Sequence, residues 1–308
     1  MKLKLIVAVC KGGGIGFRNN IPWKIKKDLL YFSNKTTGDY GKRMRDIQKG
    51  TIRGCAIHDK DIKKNAIIMG KNTWLSLPKY PEPLKNRDNI VLSSSIPESI
   101  VYNSEYDLTV HLSSISRVMR FCMLPSSVMV GENEIYKLFE KHEVNEMREI
   151  NRKSLLQNNN STYDEVWIIG GEQVYNIFIE ENVKKNMEEN INMEENINML
   201  IDEFCITYID KQYECDTFFP SIENMNLYYI SSFSRCENLD ENTGIRVPVY
   251  YIIFTLIDYS SSKNIEKKYI EGADMHRYYY YYCATNPEKC DYITNDNIES
   301  FGWCITKC

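Results

Sequence analysis

The sequence predicts an α/β fold: a central, mostly parallel sheet flanked by helices, with a C-terminal antiparallel hairpin. Three observations predict it. Short apolar runs rich in β-branched residues recur along the chain, with helix-forming stretches between them, the order that builds a parallel sheet. The first run, LKLIVAVC, is continuously apolar rather than alternating, as a strand covered on both faces is. The last two runs are separated only by a polar stretch containing Gly244, which reads as an antiparallel pair.

In chain order, LKLIVAVC (3–10) is the first strand and KGGGIGFRNN (11–20) a glycine-rich loop. IPWKIKKDLLYF (21–32) reads as a helix opened by Pro22 and Trp23. NAIIMG (65–70) is the second strand, followed by the short helix KNTWLSL, and NIVLSSS (89–95) is the third. EVWIIGG (165–171) is the fourth strand and leads into the helix EQVYNIFIEE. EFCITYID (203–210) is the fifth, and YYISSFSRC (228–236) with VPVYYIIFTLI (247–257) forms the hairpin.

Some stretches fall outside this rhythm. Residues 38–64 are charged with no strong period, 105–164 hold few core positions after Phe139, and 187–198 repeat MEENIN twice. The repeat is either an extended amphipathic helix or a low-complexity expansion in a surface loop, and the second is favoured because loops absorb length at small entropic cost. The expected organisation is one domain over 1–258, with insertions near 38–64, 105–164 and 181–200, and a C-terminal extension over 259–308.

The chain has 308 residues, 43% hydrophobic and 26% charged, with net charge −4. That suffices for a sizeable core and gives no support to nucleic-acid or anionic-membrane binding. No run approaches the roughly 20 apolar residues of a membrane helix. MKLKLIVAVC lacks the long apolar core and cleavage site of a signal peptide. Of ten cysteines, six are scattered without regular spacing through the first 236 residues, as free thiols of a cytosolic protein are. The other four, Cys283, Cys290, Cys304 and Cys308, are spaced C-x6-C-x13-C-x3-C beside a run of five tyrosines. Without a CxxC knuckle no metal site is expected there.

Asp28 is the candidate for chemistry. It is the only acid of its helical stretch and stands directly before Leu29, Leu30, Tyr31 and Phe32. One reading makes it a solvated pair with Lys24, four residues earlier. The other places it on the face of Phe32, where burial raises a carboxyl pKa and makes a general acid near neutral pH. Glycines mark a second feature. Gly12-Gly13-Gly14-Ile15-Gly16, Gly70 and Gly170-Gly171 follow predicted strands, where open α/β sheets bind phosphorylated ligands. None is a GxGxxG or Walker motif, and a turn-making role accounts for each equally well.

The order of segments is more informative. IGFRNNIPW with Asp28 five residues after the tryptophan, then IIMGKNTW, PLKNRDNIVLSS, IIGGEQVY, ITYID and CDTFFP, resembles dihydrofolate reductase. The resemblance covers roughly residues 3–37, 65–95, 165–180 and 203–257. CDTFFP and the insertions are similar to reductases fused to a thymidylate synthase; no Pro-Cys-His nucleophile signature is present, so that partner is expected to be absent or lost.

The resemblance implies NADPH-dependent reduction of 7,8-dihydrofolate to tetrahydrofolate. Asp28 would bind the pterin N3 and 2-amino group and assist protonation at N5, with Trp23 and Thr207 beside it. Ile6, Ala8, Leu29, Phe32, Thr73, Leu77 and Ile169 match the substrate pocket, where antifolates also bind, and Arg87 matches the clamp on the α-carboxylate of the glutamate tail. Ala8, Ile15, Gly16, Gly70, Lys71, Thr73, Ser93, Ser94, Gly170, Gly171, Gln173, Val174 and Tyr175 match the NADPH site. Lys71 stands where the family often has arginine and neutralises a 2′-phosphate as a point charge. The glycine-rich loop is expected to be a mobile lid, and Lys26 and Lys27 to point away from Asp28. A catalytically inactive pterin-binding relative, or another pterin or flavin-precursor reductase on the same fold, is the alternative. Asp28 with Arg87 argues against the second, and the intact acid and glycines against the first.

Overall fold

The structure, a computed structural model, describes residues 1–51, 63–102, 107–123, 162–187, 200–220 and 228–256. Its strands are β1 (Lys2–Cys10), β2 (Gly14–Gly16), β3 (Ala66–Gly70), β4 (Asp88–Leu92), β5 (Ser99–Tyr102), β6 (Leu108–Leu112), β7 (Glu165–Gly170), β8 (Glu203–Ile209), β9 (Thr217–Phe218), β10 (Tyr228–Asp240) and β11 (Ile245–Leu256). The helices are α1 (Lys26–Gln48), α2 (Lys71–Leu75), α3 (Ile115–Cys122) and α4 (Glu172–Met187). The chain divides into two compact units, one of Met1–Leu3 with Tyr31–Val174, the other of Lys4–Leu30 with the residues from Tyr175 onward.

In the first unit the strand order is β7-β3-β4-β6-β5. All pairs are parallel except β5 with β6. Ile67, Ile68, Met69, Ile90 and Val91 are fully buried, which explains why these strands read as unbroken apolar runs. Asp88 fixes the start of β4. It is buried and accepts from Lys64 Nζ at 2.6 Å, the Tyr163 hydroxyl at 3.0 Å and the Leu108 amide at 3.1 Å. A buried carboxyl needs this full set of partners.

The second unit has the order β10-β11-β8-β1. β1 and β8 are parallel, with Ala8 level with Thr207, while β11 runs antiparallel to both β8 and β10. Lys4 pairs with Glu203 at 3.0 Å across this register.

Four expectations need correction. The first helix begins at Lys26, not at Pro22; Ile25 accepts the amides of Asp28 and Leu29 at 3.1 and 3.2 Å and so starts the first turn. That helix breaks at a kink at Gly38, and a second helical segment runs on to Gln48, into a stretch read as an insertion. Gly38 takes φ 55 and ψ −149, and a Cβ there would meet Asn65 Nδ2 at 2.9 Å; only glycine fits both the conformation and the approach. Residues 108–122, read as part of the 105–164 insertion, form β6 and α3 with Val110, Leu112, Val118, Met119 and Phe121 fully buried. The third strand ends at Leu92, which leaves Ser93, Ser94 and Ser95 beyond it. The C-terminal extension over 259–308 and the MEENIN repeat beyond Met187 lie outside the described residues.

Candidate active site

Asp28 lies in the first turn of α1, where the helix dipole favours an acid. It is buried at 6% exposure, and burial pushes its carboxyl up to about 6. The Thr207 hydroxyl hydrogen-bonds the carboxyl and pulls the other way, as does the Trp23 indole. Desolvation is the larger effect, because water is lost on all sides while only neutral donors replace it. Trp23 Nε1 is buried and completes no hydrogen bond of ordinary geometry within the protein.

Lys24 and Lys26 both turn to Glu241, at 3.1 and 2.5 Å. Lys27 is exposed, so the lysines leave the acid alone and the Lys24–Asp28 pair does not form. Trp23 packs on Tyr213 with ring centroids 5.4 Å apart. Tyr213 donates to Asp240 at 2.9 Å, and Asp240 also accepts the Lys24 amide at 3.0 Å and the Thr243 hydroxyl at 2.8 Å. Burial raises the Asp240 pKa, but these donors outweigh it and hold the group below the usual range. This brace from the β10–β11 turn fixes the entry to α1, and nothing in the periodicity of Tyr213 or Asp240 announces it.

Among the other expected pocket residues of this unit, Ile6 is buried and Ala8 half-buried. Leu29 is 50% exposed, so it does not pack into the interior. Tyr175 was assigned to the cofactor; it is buried and donates to the Ile6 carbonyl at 2.8 Å. Tyr175 therefore occupies an acceptor on the β1 carbonyl that the resemblance assigns to the pterin pocket.

In the first unit Arg87 is buried at 5% exposure. It donates through Nη1 to Thr36 Oγ1 and through Nε to Lys85 O at 3.0 Å, and its guanidinium lies 5.8 Å from the centre of the Phe32 ring. Burial lowers its pKa to about 10, with Asp107 opposing and Arg45 reinforcing the shift; it remains a cation at neutral pH. The loop that presents it is braced by Asn89, which bonds Leu84 N, Leu84 O and Arg87 O at 3.1, 3.0 and 3.0 Å. Thr36 carried no signal in the sequence, yet it sets the guanidinium. Thr73, Leu77 and Ile169 are half-buried.

The same unit holds a bare backbone cradle. A Cβ on Gly70 would lie 3.0 Å from Val174 Cγ2, and one on Gly171 would lie 3.2 Å from Thr73 Oγ1. Gly171 directly precedes α4. Such a cradle admits a diphosphate against helix N–H groups. Lys71 Nζ bonds Ser95 Oγ at 2.9 Å, and Ser93 bonds Ser95 at 3.2 Å. Ser95, not the exposed Ser94, is the serine that orients the lysine. Gln173 is exposed and Val174 buried. This set fits a phosphorylated dinucleotide.

The glycine-rich loop is hydrogen-bonded to the segment around β9. β2 pairs with β9. Phe219 N donates to Gly13 O at 2.9 Å, Asp216 N to Gly16 O at 3.0 Å and Arg18 N to Asp216 Oδ2 at 2.8 Å. Ile15 and Gly16 are half-buried in this pairing. Among the described residues, no cluster of metal-ligating side chains occurs and no helix is long and apolar enough to cross a membrane.

A family model described as dihydrofolate reductase matches residues 2–41 and 58–148. A dihydrofolate reductase of Aedes albopictus is 28% identical over 248 residues, 80% of this chain and 93% of the relative. One of Drosophila melanogaster is 29% identical over 222 residues, 72% and 81% of the two chains. A bifunctional dihydrofolate reductase-thymidylate synthase of Plasmodium berghei is 26% identical over 270 residues, 82% of this chain but 35% of the relative.

Proposed function

We propose that the chain is a member of the dihydrofolate reductase family and reduces 7,8-dihydrofolate to tetrahydrofolate with NADPH, Asp28 governing the proton delivered at N5. The observation that carries the reading is the buried Asp28 carboxyl, its pKa raised to about 6 by burial and hydrogen-bonded by Thr207. Such a group keeps a proton to higher pH than an exposed aspartate and passes it on when a more basic site forms beside it.

NADPH, when bound, supplies a hydride to C6. Asp28 binds the N3 and 2-amino edge of the pterin and orients the ring, with the Trp23 indole N–H as a further donor near the carboxyl. Thr207 keeps the carboxyl in one orientation from β8, level with Ala8. Arg87, held rigid by Thr36 and Lys85 O, offers its remaining N–H groups to the α-carboxylate of the glutamate tail. Gly70, Gly171 and Thr73 hold the diphosphate, and Lys71 with Ser93 and Ser95 neutralises the 2′-phosphate.

The test is the loss of NADPH absorbance with 7,8-dihydrofolate, compared with pteroate lacking the glutamate and with a flavin precursor. Turnover with dihydrofolate and a large loss of efficiency without the glutamate are expected. Preference for the flavin precursor, or binding of methotrexate without turnover, overturns the proposal.

A further inference from the structure

Cys10 ends β1 and is buried at 1% exposure, while Cys215, four residues before the buried Phe219, is half-buried. They are 205 positions apart in sequence, yet their sulfurs lie 3.7 Å apart. The loop between them leaves no spare room. A Cβ on Gly14 would lie 2.3 Å from Cys215 Sγ and 3.0 Å from Cys10 Sγ. Backbone bonds on both sides, Phe219 N to Gly13 O and Asp216 N to Gly16 O, hold the two segments together. The thiols are thus a pair fixed by the fold.

We propose that Cys10 and Cys215 are a modification site for small-molecule disulfides, and that the resulting Cys10–Cys215 bond locks the glycine-rich loop to the segment before β9 and slows turnover. Cys215 is the more accessible thiol and reacts first. It gives up its proton and attacks one sulfur of RSSR; the S–S bond breaks and RS⁻ leaves to become RSH. Cys10 then gives up its proton and attacks the Cys215 sulfur of the mixed disulfide, releasing a second RSH. Two protein thiols are oxidised to one disulfide and RSSR is reduced to two RSH. The sulfurs close from 3.7 Å to about 2.05 Å, a distance that rotation of the half-buried Cys215 side chain covers. Burial, with Cys10 and Asp216 nearby, pushes the Cys215 thiol up to about 12. The exchange is therefore slow near neutrality and responds to sustained rather than momentary oxidant.

The consequence for the proton site follows from packing. Tyr213, two residues before Cys215, stacks on Trp23 at 5.4 Å and bonds Asp240. Cys10, Trp23 and Ile25 share one apolar cluster with Tyr213 and Cys215. Drawing Cys215 onto Cys10 moves the wall behind Trp23.

The full chain is incubated with millimolar glutathione disulfide, alkylated, digested without reduction and mapped by mass. The expected result is a Cys10–Cys215 cross-link that dithiothreitol reverses, with a several-fold fall in turnover that the reductant restores. Cys215→Ala, which retains its activity when reduced, shows neither change. Recovery of both cysteines alkylated, or as separate glutathione adducts in folded protein, overturns the site. A cross-link without loss of turnover overturns its coupling to Trp23. The mass readout does not depend on the proposed reaction, so failure of one is distinguishable from failure of the other.

Discussion

The Thr207 hydroxyl hydrogen-bonds the Asp28 carboxyl and works against the burial that raises its pKa to about 6. Thr207 reaches it from the middle of β8, where it is paired with Ala8 on one side and Tyr251 on the other. Replacing it with valine keeps the shape and removes the bond. In Thr207→Val the apparent pKa governing turnover is expected to move above that of the wild type, as the pH-rate profile would record. A profile that stays in place or moves to lower pH contradicts this role.

Asp28 also links function to stability. Its folded pKa, about 6, lies above the unfolded value of 3.8. The folded state binds the proton more tightly, so below pH 4 the group contributes its full stability. That contribution is lost as pH rises from about 4 through 6, and above it the buried charge is a net cost. Two pKa units correspond to about 3 kcal/mol. Asp28→Asn is therefore expected to raise the melting temperature at pH 7–8, with the gain vanishing near pH 4. Thermal melts across that range give the check.

The proposed role of Arg87 separates substrate from cofactor. Its guanidinium is buried and aligned before any ligand arrives. Arg87→Leu is expected to raise the KM for dihydrofolate about 10- to 100-fold, the loss of a charge-assisted pair of about 1.5–3 kcal/mol, and to leave the KM for NADPH near its wild-type value. Equal changes in both remove Arg87 from the tail clamp.

The cradle gives the opposite split. In Gly171→Ala the new methyl must displace Thr73 Oγ1 from 3.2 Å, so the KM for NADPH is expected to rise several-fold while dihydrofolate is little affected. Lys71→Ala should narrow the preference for NADPH over NADH, because its ammonium, oriented by Ser95, is the charge offered to a 2′-phosphate in the proposed reading. Steady-state constants for both cofactors measure each effect.

The parallel strands were legible in the sequence because burial on both faces writes continuous apolar runs; the apolar neighbours of Asp28 left its burial open, and only the order of the motifs favoured it. Helix α3 was not, since its buried face alternates with Arg117 and Arg120 over only eight residues. The brace of Asp240 and Tyr213 on Trp23, the seat of Arg87 on Thr36 and the meeting of Cys10 with Cys215 depend on residues far apart in sequence. No local period records such contacts. The tethering of the glycine-rich loop was missed for the same reason: its partners are on β9 and at Phe219.

The central claim rests on one proton. The pH dependence of dihydrofolate turnover, measured for the wild type and Asp28→Asn side by side, tests it most directly. The account predicts a wild-type rate that falls as pH rises through about 6, and a variant slower by roughly 100-fold or more near neutrality with that dependence flattened. A variant that keeps the wild-type rate and the same profile would contradict the assignment of Asp28.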